Sequence, residues 1–581
     1  MNTPYDHERN WILAWALAQG LLLLLLHKAV EAIHQPDRWF VWIWPLYAWV
    51  VWLPCSMQLL AAHRHHRALW QMLAGFSAAL AAMAGYGGWN VFTPAISDAD
   101  YWLGSAFVLG LSLAAVWFVL LPFAQYRLQA GRFGADYAFL FAVSWRNALQ
   151  LASAAGFAGV FWLLLALWGG LFDLLGIHVF RELFSSRYFA YPATATVFGW
   201  GLALYQVREA AILGVYRASL AILGWLLPLA AALAVGFLGT LPFTGLEPLW
   251  KTGHATALML GLQGFVLFLF NAVWQDGTGE SLPPRWLRRP LAGAVALLPV
   301  YAALCAYSLG LRVAQHGWSG ERVWAALLVF MAGFYGLGYA RAALGQGPWM
   351  AGVGRVNVAA ALTLAALLSA TATPLLDPGR IGAASQFNRL LSGQTRPADF
   401  DYAYLRFKTG RWGNAALQSL AGLDGHPQAG EIRPKAVAVQ KITSPYARPR
   451  TDWTAESLAG GLSLYPAEAK AEESLLRFLA NEINQGRHYY LPDNQRPSLL
   501  LVLDLNGDGA DEYVWFGQNY GADVLARDGK KGWLWAGKLI PPDGVWNVED
   551  IKRDLAAGKL RVVAPSWQDV EIGARRYRIG R

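Results

Sequence analysis

Eleven stretches of roughly twenty apolar residues, most without a charge, fill positions 11–375 of this 581-residue chain. They run at about 11–32, 39–61, 68–90, 102–123, 150–172, 190–212, 220–242, 254–275, 290–311, 322–344 and 354–375. About 20 apolar residues in a helix cross the hydrocarbon core of a bilayer, where every backbone polar group must be satisfied internally. The pattern therefore predicts an all-α polytopic transmembrane bundle of about eleven helices. The first stretch has no A-x-A-like cleavage site after it and is read as a retained helix. Residues 137–149 read as an amphipathic lead-in to the fifth span. In Leu174–Phe189, Ile177, Phe180, Leu183 and Phe184 recur at three- and four-residue spacing, which predicts a short helix lying in the interface.

The character changes near Leu376. Residues 1–376 contain 20 Lys+Arg and 14 Asp+Glu, whereas the shorter remainder contains 27 and 24. Two domains follow: a transmembrane domain at 1–376 and a soluble α+β domain at 377–581. The net charge of +9 is scattered singly or in twos and threes between apolar runs. That is the pattern of topology signals and phospholipid contacts, so a bilayer is the expected partner and nucleic acid is not. Many of the 29 Trp stand at span ends, among them Trp39, Trp42, Trp44, Trp318 and Trp324, as an aromatic belt requires. Cys55 and Cys305 both lie inside apolar stretches, so a structural disulfide is not expected.

Counting Lys and Arg between spans orients the bundle. The N-terminus and even-numbered loops hold twelve, and the odd-numbered loops hold seven. The positive-inside rule then places the N-terminus in the cytoplasm and, after eleven spans, the C-terminal domain on the outer side. Every acidic residue before Leu376 falls in a loop or within about a turn of a span end, which argues against a proton- or sodium-coupled pathway. Asn271 and Gln263 are the polar groups of the eighth span, read as interhelical hydrogen-bond partners or as substrate contacts. His63, His65 and His66 lack an accompanying Cys, Asp or Glu and read as a basic loop against headgroups.

Beyond Leu376, helical patterns occur at about 380–391, 411–422, 468–484 and 548–557. Strand patterns occur at 498–503, 513–517, 533–539 and 560–564. The sharpest motif is Asp504-Leu505-Asn506-Gly507-Asp508-Gly509-Ala510-Asp511-Glu512, between two strands. Asp504, Asn506, Asp508, the carbonyl of Ala510 and Glu512 supply oxygens at the spacing a structural Ca²⁺ loop uses, with Gly509 allowing the sharp turn. The twelfth position is Trp515, where an EF-hand needs a bidentate Glu. The loop resembles instead the nine-residue calcium loops of integrin-type β-hairpin repeats. A turn that binds nothing uses the same residue types. No G-x-S-x-G, H-E-x-x-H, Walker A or kinase pattern occurs in the chain. His488 has no evident Ser or Cys partner, and Asp399, Asp401, Arg406 and Arg411 read as a charged helical surface.

Leu167–Phe184, Asn271–Gly277, Leu311–Arg322, Phe400–Gly413 and Ala564–Ile572, with the acidic loop, are similar to a bacterial family of multi-spanning proteins known as domain of unknown function 4153. The resemblance implies a protein of a Gram-negative inner (cytoplasmic) membrane, and brings no activity or catalytic residues; the charge count makes the C-terminal domain periplasmic. Three function classes stay open. The first is a non-enzymatic role in envelope interaction or sensing, with other envelope proteins as partners and Ca²⁺ bracing the periplasmic domain. The second is a transporter or lipid-handling protein with a pathway near Asn271, Arg312 and Arg355. The third is a membrane enzyme on lipid-linked substrates, for which Arg312, His316, Glu321 and Arg322 are the candidates. A charge-lined groove would favour the last two, and a bundle without a cavity would exclude them.

Overall fold

The computed structural model describes residues 4–33, 39–91, 99–207, 209–246, 254–277, 282–442, 453–484, 498–517, 521–528, 532–539, 548–563, 570–572 and 575–577. The chain divides into two compact units, Met1–Pro445 and Tyr446–Arg581. The break in composition near Leu376 therefore does not coincide with the division between units. The first seventy residues of the polar segment fold with the apolar helices.

Among the described residues, ten helices of the first unit are long and apolar enough to cross a membrane. In chain order the helices are α1 (Pro4–Glu31), α2 (Phe40–Leu59), α3 (Arg67–Val91), α4 (Ala99–Ala130), α5 (Tyr137–Leu174), the short α6 (Val179–Ser185), α7 (Arg187–Val207), α8 (Glu209–Thr244), α9 (Ala255–Trp274), α10 (Arg285–Ala296), α11 (Leu298–His316), α12 (Gly320–Leu344) and α13 (Val353–Thr371). Together α10 and α11 make up the span expected at 290–311. The expected sixth span is present as α7, packed between α1 and α5, but it is not among the ten. Its Tyr188, Tyr191, Pro192, Thr194, Thr196 and two Gly lower the mean hydropathy below that of its neighbours. The lead-in at 137–149 is continuous with the fifth span, giving one helix of 38 residues. The interfacial stretch forms α6, where Phe180 stacks 4.7 Å from Phe172.

These helices are apolar on most of their circumference yet bury little of it. The most apolar window of α5 is only 11 % buried, and Leu163, Leu167, Trp225 and Leu229 stand well exposed. A surface of this kind is stable only against an apolar solvent or a partner. Amide pairs cross-link the interior. Gln58 on α2 donates to Gln19 on α1 at 3.0 Å, and Asn147 on α5 donates to Gln125 on α4 at 2.8 Å. Close backbone approach does the rest: a Cβ at Gly88 would lie 2.2 Å from the Phe40 carbonyl oxygen, so α2 and α3 pack only with glycine there.

Four further helices complete the unit: α14 (Pro378–Leu391), α15 (Tyr402–Phe407), α16 (Gly410–Ala421) and α17 (Ala429–Gln440). Their core gathers Leu390, Phe400, Leu405, Leu417, Leu420 and Ile432. Two of them match the patterns at 380–391 and 411–422. The helices α15 and α17 carry no amphipathic signal strong enough to have been read.

The second unit is a mixed five-stranded sheet in the order β1-β2-β3-β4-β5, made by Leu462–Tyr465, Ser498–Leu503, Glu512–Gly517, Gly521–Asp528 and Gly532–Leu539. The β1–β2 pair is parallel and the other pairs are antiparallel. Alternation along β2 sends Leu500 to one face and Leu499 and Leu501 to the other. On the first face α19 (Glu473–Asn484), which follows the single-turn α18 (Ala455–Ala459), supplies Leu475, Leu479 and Ile483 against Trp515 and Leu525. On the second, Ile551 and Leu555 of α20 (Val548–Ala556) cover Val514 and Phe516. The expected strand at 560–564 is not formed over residues 560–563, and residue 564 lies outside the described residues. A two-stranded ribbon of β6 (Val570–Ile572) and β7 (Arg575–Tyr577) ends the described chain.

Candidate functional site

The helical unit holds a large concave cavity of about 1060 Å³. Its walls are the C-terminal end of α3, the first turns of α4, the α11–α12 loop, the end of α13, and α14 to α15. Its lining combines the apolar Trp44, Val91, Val108, Leu109, Trp324 and Ala372 with the charged Glu321, Arg322, Asp377, Arg389, Arg396, Asp399, Asp401 and Lys408. Small residues, Gly104 and Ser105, form part of the α4 wall. The neighbouring face of α4 carries Phe107 and Leu111, which are 72 % and 62 % exposed, so the cavity borders the apolar outer surface.

Two latches hold α14–α16 over the bundle end. The first centres on Asp377, which is only 4 % exposed. It caps α14, with Pro378 at the first helical position, by accepting from the N–H groups of Gly379 at 2.7 Å and Arg380 at 3.2 Å. Its other oxygen accepts from Asn90 Nδ2 at 2.8 Å and from the Tyr86 hydroxyl, both on α3. Trp412 Nε1 donates to Tyr86 at 3.1 Å, and Arg411 Nε donates to the Trp89 carbonyl at 2.6 Å while lying over its ring. Burial holds the Arg411 guanidinium below its ordinary pKa. Gly410 makes this approach feasible: its φ is +60°, and a Cβ there would meet the Asn90 carbonyl oxygen at 2.7 Å.

The second latch closes on the α11–α12 loop. Gln386 on α14 donates to the carbonyls of His316 and Trp318 at 2.9 and 2.8 Å. Arg389 Nη2 donates to the Gln315 carbonyl at 2.7 Å, and Arg322 Nη1 to the Gly317 carbonyl at 2.8 Å. The Tyr404 hydroxyl accepts from Gly320 N at 2.9 Å, and burial raises its pKa. Gly317, with φ +71°, lies so close to Arg389 that a Cβ would sit 2.4 Å from Cδ. Of the four groups expected to form a charged surface, Arg406 is buried and bonded to Asn414 at 2.5 Å, Asp401 caps α15, Asp399 pairs with Arg396 at 2.6 Å, and Arg411 belongs to the first latch. They do not form one patch.

A second cavity, of about 450 Å³, lies among α4, α5, α9, α12 and α13 and is mainly apolar. At its floor Asn271 accepts from Tyr339 at 3.0 Å and from Asn357 at 2.6 Å, and Asn357 donates to Tyr137 at 2.7 Å. Asn271 Nδ2 is used by the Leu267 carbonyl at 2.8 Å. Gln263 donates to the Ala332 carbonyl at 2.7 Å. Both residues of the eighth expected span thus join α9 to other helices. Arg312 and Arg355 are exposed and line neither of these two cavities. His316, Glu321 and Arg322 do share the large cavity.

In the second unit the acidic loop joins β2 to β3, whose ends pair Leu503 with Glu512. The Asp504 carboxylate accepts from Gly507 N at 2.6 Å and Gly509 N at 3.0 Å, and these bonds lower its pKa. Asn506 Nδ2 donates to Asp508 and Glu512, both at 2.9 Å, and Glu512 also accepts from Leu505 N at 2.7 Å. Asn506 therefore points N–H groups, not oxygen, at the two carboxylates. A cation would require that amide to turn over. Among the described residues no group of three or more His, Cys, Asp or Glu is placed to hold a metal ion. His488 and residues 564–569 lie outside the described residues.

Comparison with protein-family models, with curated proteins and with solved structures finds no match to this chain.

Proposed function

We propose that this chain is a multi-pass protein of a bacterial inner membrane that binds an amphiphile at one end of its helix bundle. The observation that carries the reading is the large cavity, whose lining joins apolar side chains of α4, next to the exposed Phe107 and Leu111, to charged side chains of α12, α14 and α15. A molecule with an acyl chain and a polar head matches both kinds of lining at once, and concave sites of several hundred Å³ suit small ligands. Tyr86–Val91, Gly104, Gln315–Arg322 and Thr371–Asp377, which meet at this cavity, are the helix ends that an eleven-span count assigns to the outer side. Tyr137, Asn271, Tyr339 and Asn357, which meet at the other polar cluster, belong to the ends it assigns to the cytoplasm. In this reading the N-terminus is cytoplasmic, the cavity opens at the periplasmic leaflet, and the sheet unit is periplasmic, with the 504–512 hairpin as a structural Ca²⁺ loop.

The test uses the full chain in nanodiscs with a photoactivatable phospholipid, followed by mapping of the labelled peptides. Label is expected to concentrate on 86–112 and 315–324, and Ser105→Trp, which fills the cavity from its α4 wall, should remove it. Label spread evenly over faces such as those of Leu163 and Leu229 would sink the reading. A reporter fused after Arg581 that works only outside the cytoplasm tests the orientation. Raised thermal stability of the full chain in millimolar Ca²⁺, abolished by Asp504→Ala with Asp508→Ala, tests the loop.

A further inference from the structure

Charge in the large cavity is not balanced by contacts. Asp399 is paired with Arg396, Asp401 caps α15, and Asp377 is enclosed by its latch. Arg322, Arg389 and Lys408 also line the cavity, and among the described residues none has an acidic side chain within salt-bridge distance. The wall carries four carboxylates (Glu321, Asp377, Asp399, Asp401) and four cations (with Arg396), so its distinctive feature is not net charge but these three cations standing without a carboxylate in contact among the described residues.

The two arginines are held, not floating. Each spends part of its guanidinium on carbonyls of the same C-terminal turn of α11 and its cap, Ala314–Gly317, at 2.7–3.4 Å. Backbone carbonyls orient a guanidinium but leave its charge uncompensated. Arg389 Nε is buried and has no hydrogen-bond acceptor among the described residues. An unsatisfied buried donor on a charged group is costly, and an incoming oxyanion removes that cost. Arginine pairs of this kind match the geometry of phosphate oxygens, and a lysine adds a point charge.

Resting on the amphiphile reading above, we propose that the cavity selects an anionic, phosphate-bearing headgroup, held by Arg322, Arg389 and Lys408. The acyl chain of the same molecule lies along Val108 and Leu109. Lys408 is exposed and no hydrogen bond to its side chain is described, so it reports recognition without disturbing the fold.

The experiment repeats the photolabelling of the full chain in nanodiscs of phosphatidylcholine alone and of phosphatidylcholine mixed with phosphatidylglycerol, with a probe of each headgroup. Preference for the glycerol probe at the cavity peptides should be about tenfold or more, and Arg389→Gln or Arg322→Gln should abolish it. Lys408→Gln should reduce it several-fold with an unchanged thermal midpoint, and Arg389→Lys should restore part of it. Equal labelling by both probes would overturn the headgroup assignment while leaving the amphiphile reading intact. No cavity labelling by either would overturn that reading itself. Competition by millimolar inorganic phosphate, with no dependence on the lipid, would show a free-anion site and overturn the lipid source.

Discussion

Two polar regions of the helical unit solve opposite problems. In the knot of Asn271, Asn357, Tyr339 and Tyr137, donors from four helices find acceptors within the same group. At the bundle end, Asp377 is equally well satisfied, but Arg322 and Arg389, which line the same cavity, have backbone carbonyls as their described partners. Closed networks hold helices together and leave nothing over for a ligand. Open charge at the rim of a cavity costs stability unless something arrives to use it. The contrast separates scaffold from site better than polarity does, since both regions are polar.

The largest effect should come from the latch. Asp377→Ala removes the cap of α14 and strands Tyr86 and Asn90, which together cost about 3 kcal/mol. The thermal midpoint of the full chain should fall, and protease should cut earlier within α14–α16. An unchanged midpoint would mean that α14 is held by the second latch alone. Gly410→Ala should cost about 2 kcal/mol, because a left-handed backbone and a contact with Asn90 both resist a Cβ. An unchanged midpoint would show that α16 shifts away from α3 without loss.

The knot should respond less. Tyr339→Phe removes the one hydroxyl that Asn271 and Asn357 share, for about 1 kcal/mol, a modest figure because helices in a bilayer find alternative partners. Lipid labelling of the large cavity should not change. If it falls as far as with Ser105→Trp, the two regions are not independent and the contrast fails.

The smallest effect belongs to the 504–512 hairpin, which resembles the knot in spending its side chains on itself. Asp504 has a pKa lowered by the N–H groups of Gly509 and Gly507. A carboxylate of lowered pKa stabilises the fold above its unfolded value, about 3.9, and that contribution is lost as pH falls through the folded value. Acid unfolding of the sheet unit below about pH 4 should therefore be displaced to higher pH by Asp504→Asn. Tryptophan emission of the full chain, read against a variant with Trp515→Phe, follows it. Identical acid midpoints would remove Asp504 from the account.

How much of this was readable in advance varies with the range of the contacts. Strand β2 was visible because its leucines form one apolar run bounded by turn residues, and the hairpin because Gly507 and Gly509 announce the turn. Strand β4 was missed: Ala522, Val524 and Ala526 alternate with Asp523 and Arg527, a weak signal that cross-strand pairing with β3 and β5 makes good. Asn271 was singled out, but Tyr339 and Asn357 were not, because their meeting depends on α12 and α13 returning beside α9. The cap that Asp377 gives α14 is a local contact, whereas its partners on α3 lie 287 and 291 residues away.

The amino-acid sequence alone determined that the first part of this chain forms long apolar helices and that oxygen-rich residues cluster in one hairpin. Those properties follow from composition and short-range periodicity, which act on neighbours in the chain. Tertiary structure alone decided that residues 378–442 fold onto the helical unit, that the Asn271 amide is consumed by a knot, and that Arg322 and Arg389 line a cavity without an acidic partner among the described residues. Each of these depends on which helix ends come together. That is settled by burial and hydrogen bonding between residues far apart in the chain, where no local pattern records the outcome.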